Sequence, residues 1–272
     1  MIGDLSFELD SENFKTMKFL LSSYMRASLL LALVNSSSRL STLRDDLGKS
    51  SATILHAVSE LENFNLTMRD FKYYCLSSKG YIYGLALDKL CKNLYIFESN
   101  RKFWQNHYID ALPNEFVENA YLLKESVYRC SDKRDMEKPV NDYFENIKNC
   151  KDIKIILPMF SEIYLEMILK TVKENHKLEL VIDEEVFNSL KNSKYFNRIL
   201  KLSKQDKIVI RKYIGDLKIF LTFCNDFMSM NLFYKDGFFD DSTTIFNETS
   251  DGVKWAEIIF DYYLGHSVIV VL

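Results

Sequence analysis

The order of segments between residues 11 and 76 constrains the fold more than any other feature of the sequence. Two runs with apolar residues at helical spacing, "SENFKTMKFLLSS" and "YMRASLLLALVNSSS", predict two helices that separate near residues 22–23. A polar loop, "NSSSRLS", leads into a short helix, "STLRDDLG", with Ser41 as its predicted N-cap and Gly48 as its stop. A turn follows, and Ser50 is the predicted cap of a fourth helix.

The fourth predicted helix, residues 50–64, has two unlike faces. Ile54, Val58 and Leu61 recur at helical spacing and predict a stripe that packs into a core. The remaining face is small, polar and nearly uncharged, and it carries Ser51, Ala52, Leu55, His56 and Ser59. Two β-prone runs then predict a hairpin, and Ser77 is the predicted cap of a long helix over residues 78–99. This order of elements is that of a winged helix-turn-helix.

The pattern changes in the second half of the chain. Residues 100–150 read as helical with a polar break, whereas residues 151–272 read as strand, helix and strand followed by several close strands and a closing helix. That order predicts a mixed α/β sheet with helices packed on it. The apolar tail "HSVIVVL" predicts an added edge strand or, alternatively, a subunit contact. We therefore expect an α+β or α/β chain, with a winged helix-turn-helix domain (1–80), a helical connector and dimerisation region (81–150) and an α/β effector or assembly domain (151–272).

Composition removes several classes of function. No glycine lies between Gly84 and Gly215, so the middle of the chain has no glycine-rich phosphate-binding loop. No apolar run approaches the length of about 18 residues that spans a membrane, and the acidic start does not resemble a signal peptide, so a cytoplasmic protein without membrane contact is expected. The five cysteines and four histidines are scattered, which predicts mostly reduced thiols, no disulfide framework, no metal site and no cofactor.

Several segments, in the same order, resemble a family of archaeal winged-helix transcriptional regulators whose C-terminal domain is named after a methanogenesis regulatory protein. They are "SSYMRASLLLAL", "LSTLRDDLGKSSATILHAVSELENFNL", "YCLSSKG", "FW" with His107, "LPNEF", "LELVIDEEV", "LFYKDGFFD" and "WAEIIFDYY". The resemblance covers nearly the whole chain. It implies a homodimer that binds double-stranded DNA, with a C-terminal domain that senses a small-molecule effector or mediates assembly.

The winged-helix motif carries over onto particular positions of this sequence. The resemblance implies a recognition helix at residues 50–64 and a wing at residues 66–76, with bases and phosphates contacted by Arg44, Lys49, Ser51, Ala52, Thr53, Leu55, His56, Ser59, Arg69 and Lys72. Residues 1–80 contain nine Lys and Arg against nine Asp and Glu, which is an unusual balance for a DNA-binding domain. An alternative is therefore a winged helix that only dimerises, on a ligand-binding protein that does not bind DNA. An enzyme is not expected, because "DIKIILPMFSEIYLEM" lacks the glycine-rich loop of a methyltransferase.

A ligand site is predicted in the second half, where the first strand of an open α/β sheet meets the following helix. Its candidate residues are Phe160, Ser161, Lys218 and Asn231. This half also looks loosely like phospholipase-D-type folds, whose signature is HxK followed by aspartate. In "DLKIFLTF" only Lys218 survives, with Asp216 in place of the histidine and Phe223 in place of the aspartate. The likeness therefore implies a non-catalytic, binding-only version of that fold, because the imidazole nucleophile is missing.

Overall fold

The computed structural model describes residues 11–148, 150–172 and 176–271. The chain forms two compact units that divide between Lys92 and Asn93. The first unit and the long helix that leaves it contain α1 (Ser11–Leu21), α2 (Tyr24–Ala32), β1 (Ser38–Arg39), α3 (Leu40–Leu47), α4 (Ser51–Asn63), β2 (Thr67–Asp70), β3 (Tyr73–Leu76) and α5 (Ser78–Ser99). The three strands form one antiparallel sheet in the order β1-β3-β2. This is the predicted winged helix-turn-helix, with β2 and β3 as the wing.

The local signals in the first unit have clear physical causes. Gly48 ends α3 in a left-handed conformation with a φ of 61°, which a glycine adopts at no steric cost. The hydroxyl of Ser50 accepts a hydrogen bond from the Thr53 amide and caps α4, as predicted. The predicted cap at Ser41 is wrong, because α3 already begins at Leu40 and has no side-chain cap. Part of the predicted loop before α3 is strand β1, since Ser38 pairs with Tyr74 of the wing.

The second unit is built on an eight-stranded sheet. After the end of α5 come α6 (Arg101–Asn106), short 3-10 turns at Ile109–Ala111 and Ala120–Leu123, α7 (Asn114–Glu118), β4 (Val127–Cys130), α8 (Lys138–Ile147), β5 (Asp152–Leu157), α9 (Glu162–Thr171), β6 (Lys177–Ile182), α10 (Glu184–Lys191), α11 (Phe196–Ser203), β7 (Ile208–Tyr213), β8 (Ile219–Phe223), β9 (Met228–Leu232), β10 (Thr243–Asn247), α12 (Ser250–Gly265) and β11 (Ser267–Ile269). The strand order is β11-β7-β6-β5-β8-β9-β10-β4. Only the β5–β6 and β6–β7 pairs are parallel, so the sheet is mixed, as predicted.

Apolar side chains cover both faces of the central strands, which explains their nearly continuous apolar sequences. On β5, Ile153 and Ile155 pack into the core that includes α8 to α11, whereas Ile156 points to the opposite face. There it meets Trp255 and Phe260 of α12, a helix that packs across the middle of the sheet. The mixed α+β fold class is therefore confirmed.

Two expectations about the second unit are corrected. Residues 127–130 fall in the stretch predicted to be helical, but they form β4, which pairs with β10 at the edge of the sheet. The expected reduced thiols are contradicted for Cys150 and Cys224, which form a disulfide with Cα atoms 6.0 Å apart. Antiparallel pairing of β5 with β8 brings the start of one strand beside the end of the other, and the two cysteines flank those ends. Because 74 residues separate the cysteines in the sequence, the scattered pattern hid this pair.

The apolar tail adds an edge strand to the same sheet. Ser267, Val268 and Ile269 form β11, which pairs antiparallel with β7. The edge-strand interpretation of this segment is therefore confirmed. Ser161 occupies the N-cap position of α9 but makes no side-chain capping bond.

Candidate nucleic-acid interface

The outer face of α4 collects most of the predicted base-reading residues. Ile54, Ala57, Val58 and Leu61 are buried on the inner face, where they join the core of the first unit. The opposite face is exposed at Ala52, Thr53, Leu55, His56 and Ser59, and Ser51 beside it is half-buried. The hydroxyl of Thr53 shares a 2.9 Å hydrogen bond with the Ser50 hydroxyl, so it belongs to the cap. The start of the helix is thus fixed, and its outer surface presents small side chains.

His56 lies on this surface at the end of a charged network. Its side chain is 77% exposed, and Nδ1 lies 3.4 Å from Glu60 Oε2. The other oxygen of Glu60 accepts a 2.8 Å bond from Arg26, whose guanidinium also bonds the Phe19 carbonyl and lies over the Phe19 ring. Arg26 is therefore anchored inside the unit and neutralises the carboxylate nearest to the outer face of α4. Sequence analysis missed this network because α2 and α4 are far apart in the chain.

The wing carries exposed cations around its tip. Asp70 pairs with Tyr73 at the end of the hairpin, and Phe71 and Lys72 form the turn. Arg69 Nε donates a 3.0 Å hydrogen bond to the Phe71 carbonyl. On the neighbouring strand, the Arg39 guanidinium lies 4.9 Å from the centre of the Tyr73 ring.

The predicted phosphate-binding cations are available for binding. Arg44, Lys49, Arg69 and Lys72 are all exposed, and none of them forms an ion pair within the part of the chain that the structure describes. Exposed carboxylates lie beside these cations in the sequence, since Asp45 and Asp46 follow Arg44 and Asp70 follows Arg69.

The predicted ligand residues of the second unit differ in what they contact. Asn231 Nδ2 donates to the carbonyls of Asp240 and Thr243 and to the Thr244 hydroxyl, so its amide holds the β9–β10 connection. Lys218 Nζ lies 2.6 Å from Asp216 and over the ring of Phe233.

Phe160 and Ser161 are partly buried, and Phe160 packs against the core that includes α9. The antiparallel register between β5 and β8 places Lys218, just before β8, near the residues that follow β5. The assignment of Phe160, Ser161, Lys218 and Asn231 to a ligand site stays a prediction.

A buried ion pair that sequence analysis missed lies in the same unit. His107 and Asp240 are 2% and 1% exposed, and Nε2 of the histidine lies 3.0 Å from Asp240 Oδ2. Nδ1 lies 2.7 Å from the Phe103 carbonyl, which only accepts hydrogen bonds. Both ring nitrogens of His107 therefore face hydrogen-bond acceptors.

Asp240 is held as a carboxylate by several donors. Its Oδ1 accepts bonds from the backbone amide and the hydroxyl of Ser242. Burial opposes ionisation, but hydrogen bonds from His107, Ser242 and Tyr234 outweigh it and lower the pKa of this carboxyl below its ordinary 3.8. The two partners lie in segments that carry the family resemblance, but 133 residues separate them, and no local signal predicts their contact.

An aromatic cavity of about 290 Å³ borders this pair. The His107 ring is stacked between Phe103 and Tyr234, with centroids 4.0 Å and 4.8 Å away. Tyr128 closes another side, and burial raises the pKa of its phenol. Lys102 lies at the rim and forms no ion pair among the described residues. The cavity therefore suits a small, partly aromatic molecule better than a metal ion.

Two features are absent from residues 11–148, 150–172 and 176–271. No cluster of three or more His, Cys, Asp or Glu side chains is arranged to hold a metal ion. None of the helices is long and apolar enough to cross a bilayer.

The fold and this surface define the first unit as a winged helix-turn-helix module of the kind found in regulatory proteins. Comparison of the sequence with known families identifies the family. Residues 14–95 match the family described as methanogenesis regulatory protein FilR1, N-terminal domain, and residues 136–266 match its middle domain. The chain belongs to this family of archaeal regulatory proteins.

One curated relative and two solved structures are similar to the chain. The methanogenesis regulatory protein FilR1 of Methanothrix harundinacea (strain 6Ac) is 26% identical over 262 residues, which cover 93% of this chain and 57% of that protein. The chain thus spans little more than half the length of this relative. TrmBL2, described as an archaeal chromatin protein with a novel mode of DNA binding, is 15% identical over 94% of this chain and 99% of its own, with a TM-score of 0.42. Phosphatidylserine synthase of Haemophilus influenzae Rd KW20 is 9% identical over 53% of this chain and 39% of its own, with a TM-score of 0.38.

Proposed function

We propose that the chain is a non-enzymatic, homodimeric transcription regulator that binds double-stranded DNA through α4 and the β2–β3 wing. The observation that carries this proposal is the outer face of α4. A capped helix buries one side in the core and leaves its other side small, exposed and bordered by cations that form no ion pair among the described residues. Small side chains let a helix approach the floor of the major groove, and the wing cations Arg69 and Lys72 would meet phosphate. The regulatory family supports the same function.

One observation favours the alternative, a winged helix that does not bind DNA. Positions 1–80 contain equal numbers of cationic and anionic residues. The two functions differ in how association with DNA depends on salt. Each phosphate neutralised by a protein cation contributes about 0.9 to the slope of log K against log salt concentration. A chain that only dimerises has no such slope.

The experiment compares two double variants on a pool of random duplex DNA. We expect Arg69→Ala/Lys72→Ala to weaken binding across all sequences and to reduce the salt slope by up to about 1.8. Lys15→Ala/Lys18→Ala removes two exposed cations from α1 and serves as the matched control. Equal salt slopes for the two double variants would reject the wing assignment.

Base reading is tested separately on the outer face of α4. Fragments selected from the same pool by the wild-type chain and by His56→Ala or Ser51→Ala are sequenced. We expect these variants to change the preferred sequence more than the salt slope, because base contacts specify a site whereas phosphate contacts hold the protein on it. An identical selected sequence for all three proteins would exclude both residues from base reading.

The homodimer is supported by an apolar groove between α1 and α5 in the first unit. Its volume is about 130 Å³, and it is lined by Met17, Leu20, Leu21, Tyr83, Ala86, Leu87 and Leu90. On α5, Tyr83, Leu87 and Leu90 follow one another at intervals of four and three residues, the spacing by which helices of two chains interlock. The proposed occupant is α5 of a second copy, and a dimer that reads successive major grooves needs its two α4 helices roughly 34 Å apart.

Dimerisation is tested by sedimentation. We expect Leu90→Glu to yield monomers, whereas Lys89→Glu, a charge change at the neighbouring exposed position, leaves the dimer intact. A wild-type chain that sediments as a monomer at every concentration would reject the dimer while leaving DNA binding open to its own test.

Control by a small effector completes the proposal, and two places in the second unit support it. One is the predicted site at Phe160, Ser161, Lys218 and Asn231, and the other is the aromatic cavity beside His107. A panel of small aromatic and aliphatic carboxylates, screened by thermal shift, tests both places. Loss of a shift in Lys218→Ala assigns the ligand to the first place, and loss in Tyr234→Ala assigns it to the second. A panel that shifts nothing counts against effector control.

A further inference from the structure

Phe71 occupies a position in the wing that normally suits glycine. It is the first of the two turn residues between β2 and β3, and its φ is 50°. Lys72, the second turn residue, is not among the described residues with positive φ. A two-residue hairpin turn with positive φ at the first position alone is of the type II′ kind, in which glycine is preferred there. A phenylalanine in this conformation is a backbone outlier.

The Phe71 side chain is not stabilised by ring or cation contacts with the described residues. Phe71 is 91% exposed, and its ring contacts no aromatic ring or cation among the described residues. A strained backbone with an exposed aromatic ring therefore cannot be explained by packing within this unit. Strained residues of this kind concentrate at functional sites.

The tip is nevertheless held in place. The Phe71 carbonyl accepts the Arg69 Nε hydrogen bond at 3.0 Å, which fixes the turn from one side. Arg69 and Lys72 lie within two positions of Phe71, and the exposed Asp70 directly precedes it, so the wing presents an apolar ring with two cations and one carboxylate. This combination matches a duplex surface, because phosphates line both edges of the minor groove and the base pairs lie at its floor.

We propose that Phe71 is a minor-groove wedge that inserts between base pairs and bends the DNA bound by α4. This inference rests on the proposed DNA binding and adds a deformation step to it. Unstacking a base step costs least at pyrimidine–purine steps such as TA, so the wedge selects deformable sequences without contacting base edges. An exposed apolar tip at a membrane or on a protein partner would lack this dependence on DNA steps.

The experiment uses the full chain and a duplex of about 30 base pairs, which spans nearly three helical turns. Its centre alternates T and A, and 2-aminopurine replaces one central adenine, since this base fluoresces more strongly when it is unstacked. Binding is followed by gel shift at about 50 mM salt, and fluorescence reports insertion. With wild type we expect a several-fold rise in fluorescence on binding.

Variants at position 71 separate the wedge from other roles. We expect Phe71→Gly to abolish the fluorescence rise and to weaken binding about tenfold, as loss of aromatic stacking on a base does. Phe71→Leu keeps an apolar wedge and should retain part of the signal. Phe238→Ala removes an aromatic ring that is 72% exposed on another turn and should change neither readout.

The outcomes are distinguishable. Phe71→Gly should melt at the same temperature as wild type or higher, because glycine suits the positive φ, so a lost signal would not reflect unfolding. Wild type that binds without a fluorescence rise, or Phe71→Gly that gives the same rise as wild type, would overturn the wedge and leave DNA binding intact. Wild type that shifts no DNA would overturn the proposed function as well.

Discussion

Replacing Asp240 with asparagine should test the buried ion pair most directly. The carboxylate faces the His107 ring nitrogen Nε2 at 3.0 Å, and both side chains are almost completely buried. The amide keeps the size of the side chain but removes its charge, so the buried contact with His107 loses its electrostatic attraction. Breaking a buried pair from one side costs about 3–5 kcal/mol. We expect the free energy of unfolding of the second unit to fall by that amount.

The assay is urea unfolding of the full chain, followed by fluorescence of Trp104 and Trp255, which both lie in the core of the second unit. Asp241→Asn provides the control, since Asp241 is the exposed neighbour of Asp240. We expect this control to change the stability by less than about 0.5 kcal/mol.

The same pair predicts a dependence on pH with a definite sign. Because the folded-state pKa of Asp240 is lowered, its ionised form contributes stability above the unfolded pKa, and that stability is lost as pH falls through the folded pKa. The contribution of Asp240 to the difference between wild type and Asp240→Asn should therefore shrink as pH falls below 3.8, the ordinary pKa of this carboxyl. A loss below about 1 kcal/mol, or a difference that grows in acid, would refute the ion-pair reasoning.

Two further changes test the disulfide and the backbone of the winged helix. Replacing both Cys150 and Cys224 with serine removes a disulfide that spans 74 residues. This change should destabilise the second unit by about 3–4 kcal/mol, measured by urea unfolding without reductant. An unchanged unfolding midpoint would mean that the disulfide contributes nothing to stability. A Cβ at Gly80 would lie 1.8 Å from the Leu66 carbonyl oxygen, whereas a Cβ at Gly48 would meet no atom within the described residues. Gly80→Ala should therefore lower the melting temperature more than Gly48→Ala, whose cost is about 1 kcal/mol. Equal melting temperatures for the two variants would contradict the close approach at Gly80.

Local patterns in the sequence predicted the first unit well because its contacts are short in range. The helices, the Ser50 cap and the hairpin depend on residues within a few positions of one another, and Ile54 and Val58 show their burial through spacing alone. The prediction for Ser41 was wrong because Arg39, which pairs with Tyr73 in β1, takes the N-cap position. Helix α3 therefore begins at Leu40, one residue before the serine.

Local sequence patterns did not predict the features that depend on contacts between distant parts of the chain. Strand β4 carries no strong alternation of apolar residues, and only β10, more than 100 positions later, makes it a strand. The His107–Asp240 pair and the Cys150–Cys224 link likewise join segments that a local pattern treats as unrelated. The candidate interface shows the same limit, since the residue types at Phe71 and Arg26 do not reveal a positive φ or an internal anchor.

The position of β4 has a consequence for how the chain can be divided. β4 precedes α8 in the sequence but shields the outer edge of β10. A fragment starting at residue 151 would keep the seven strands β5 to β11 but lose β4. The backbone amides and carbonyls along the outer edge of β10 would then be free to pair with another molecule. We expect this fragment to self-associate through the unpaired edge of β10. A fragment starting at Asn93 would keep β4 paired with β10 and should not self-associate in this way.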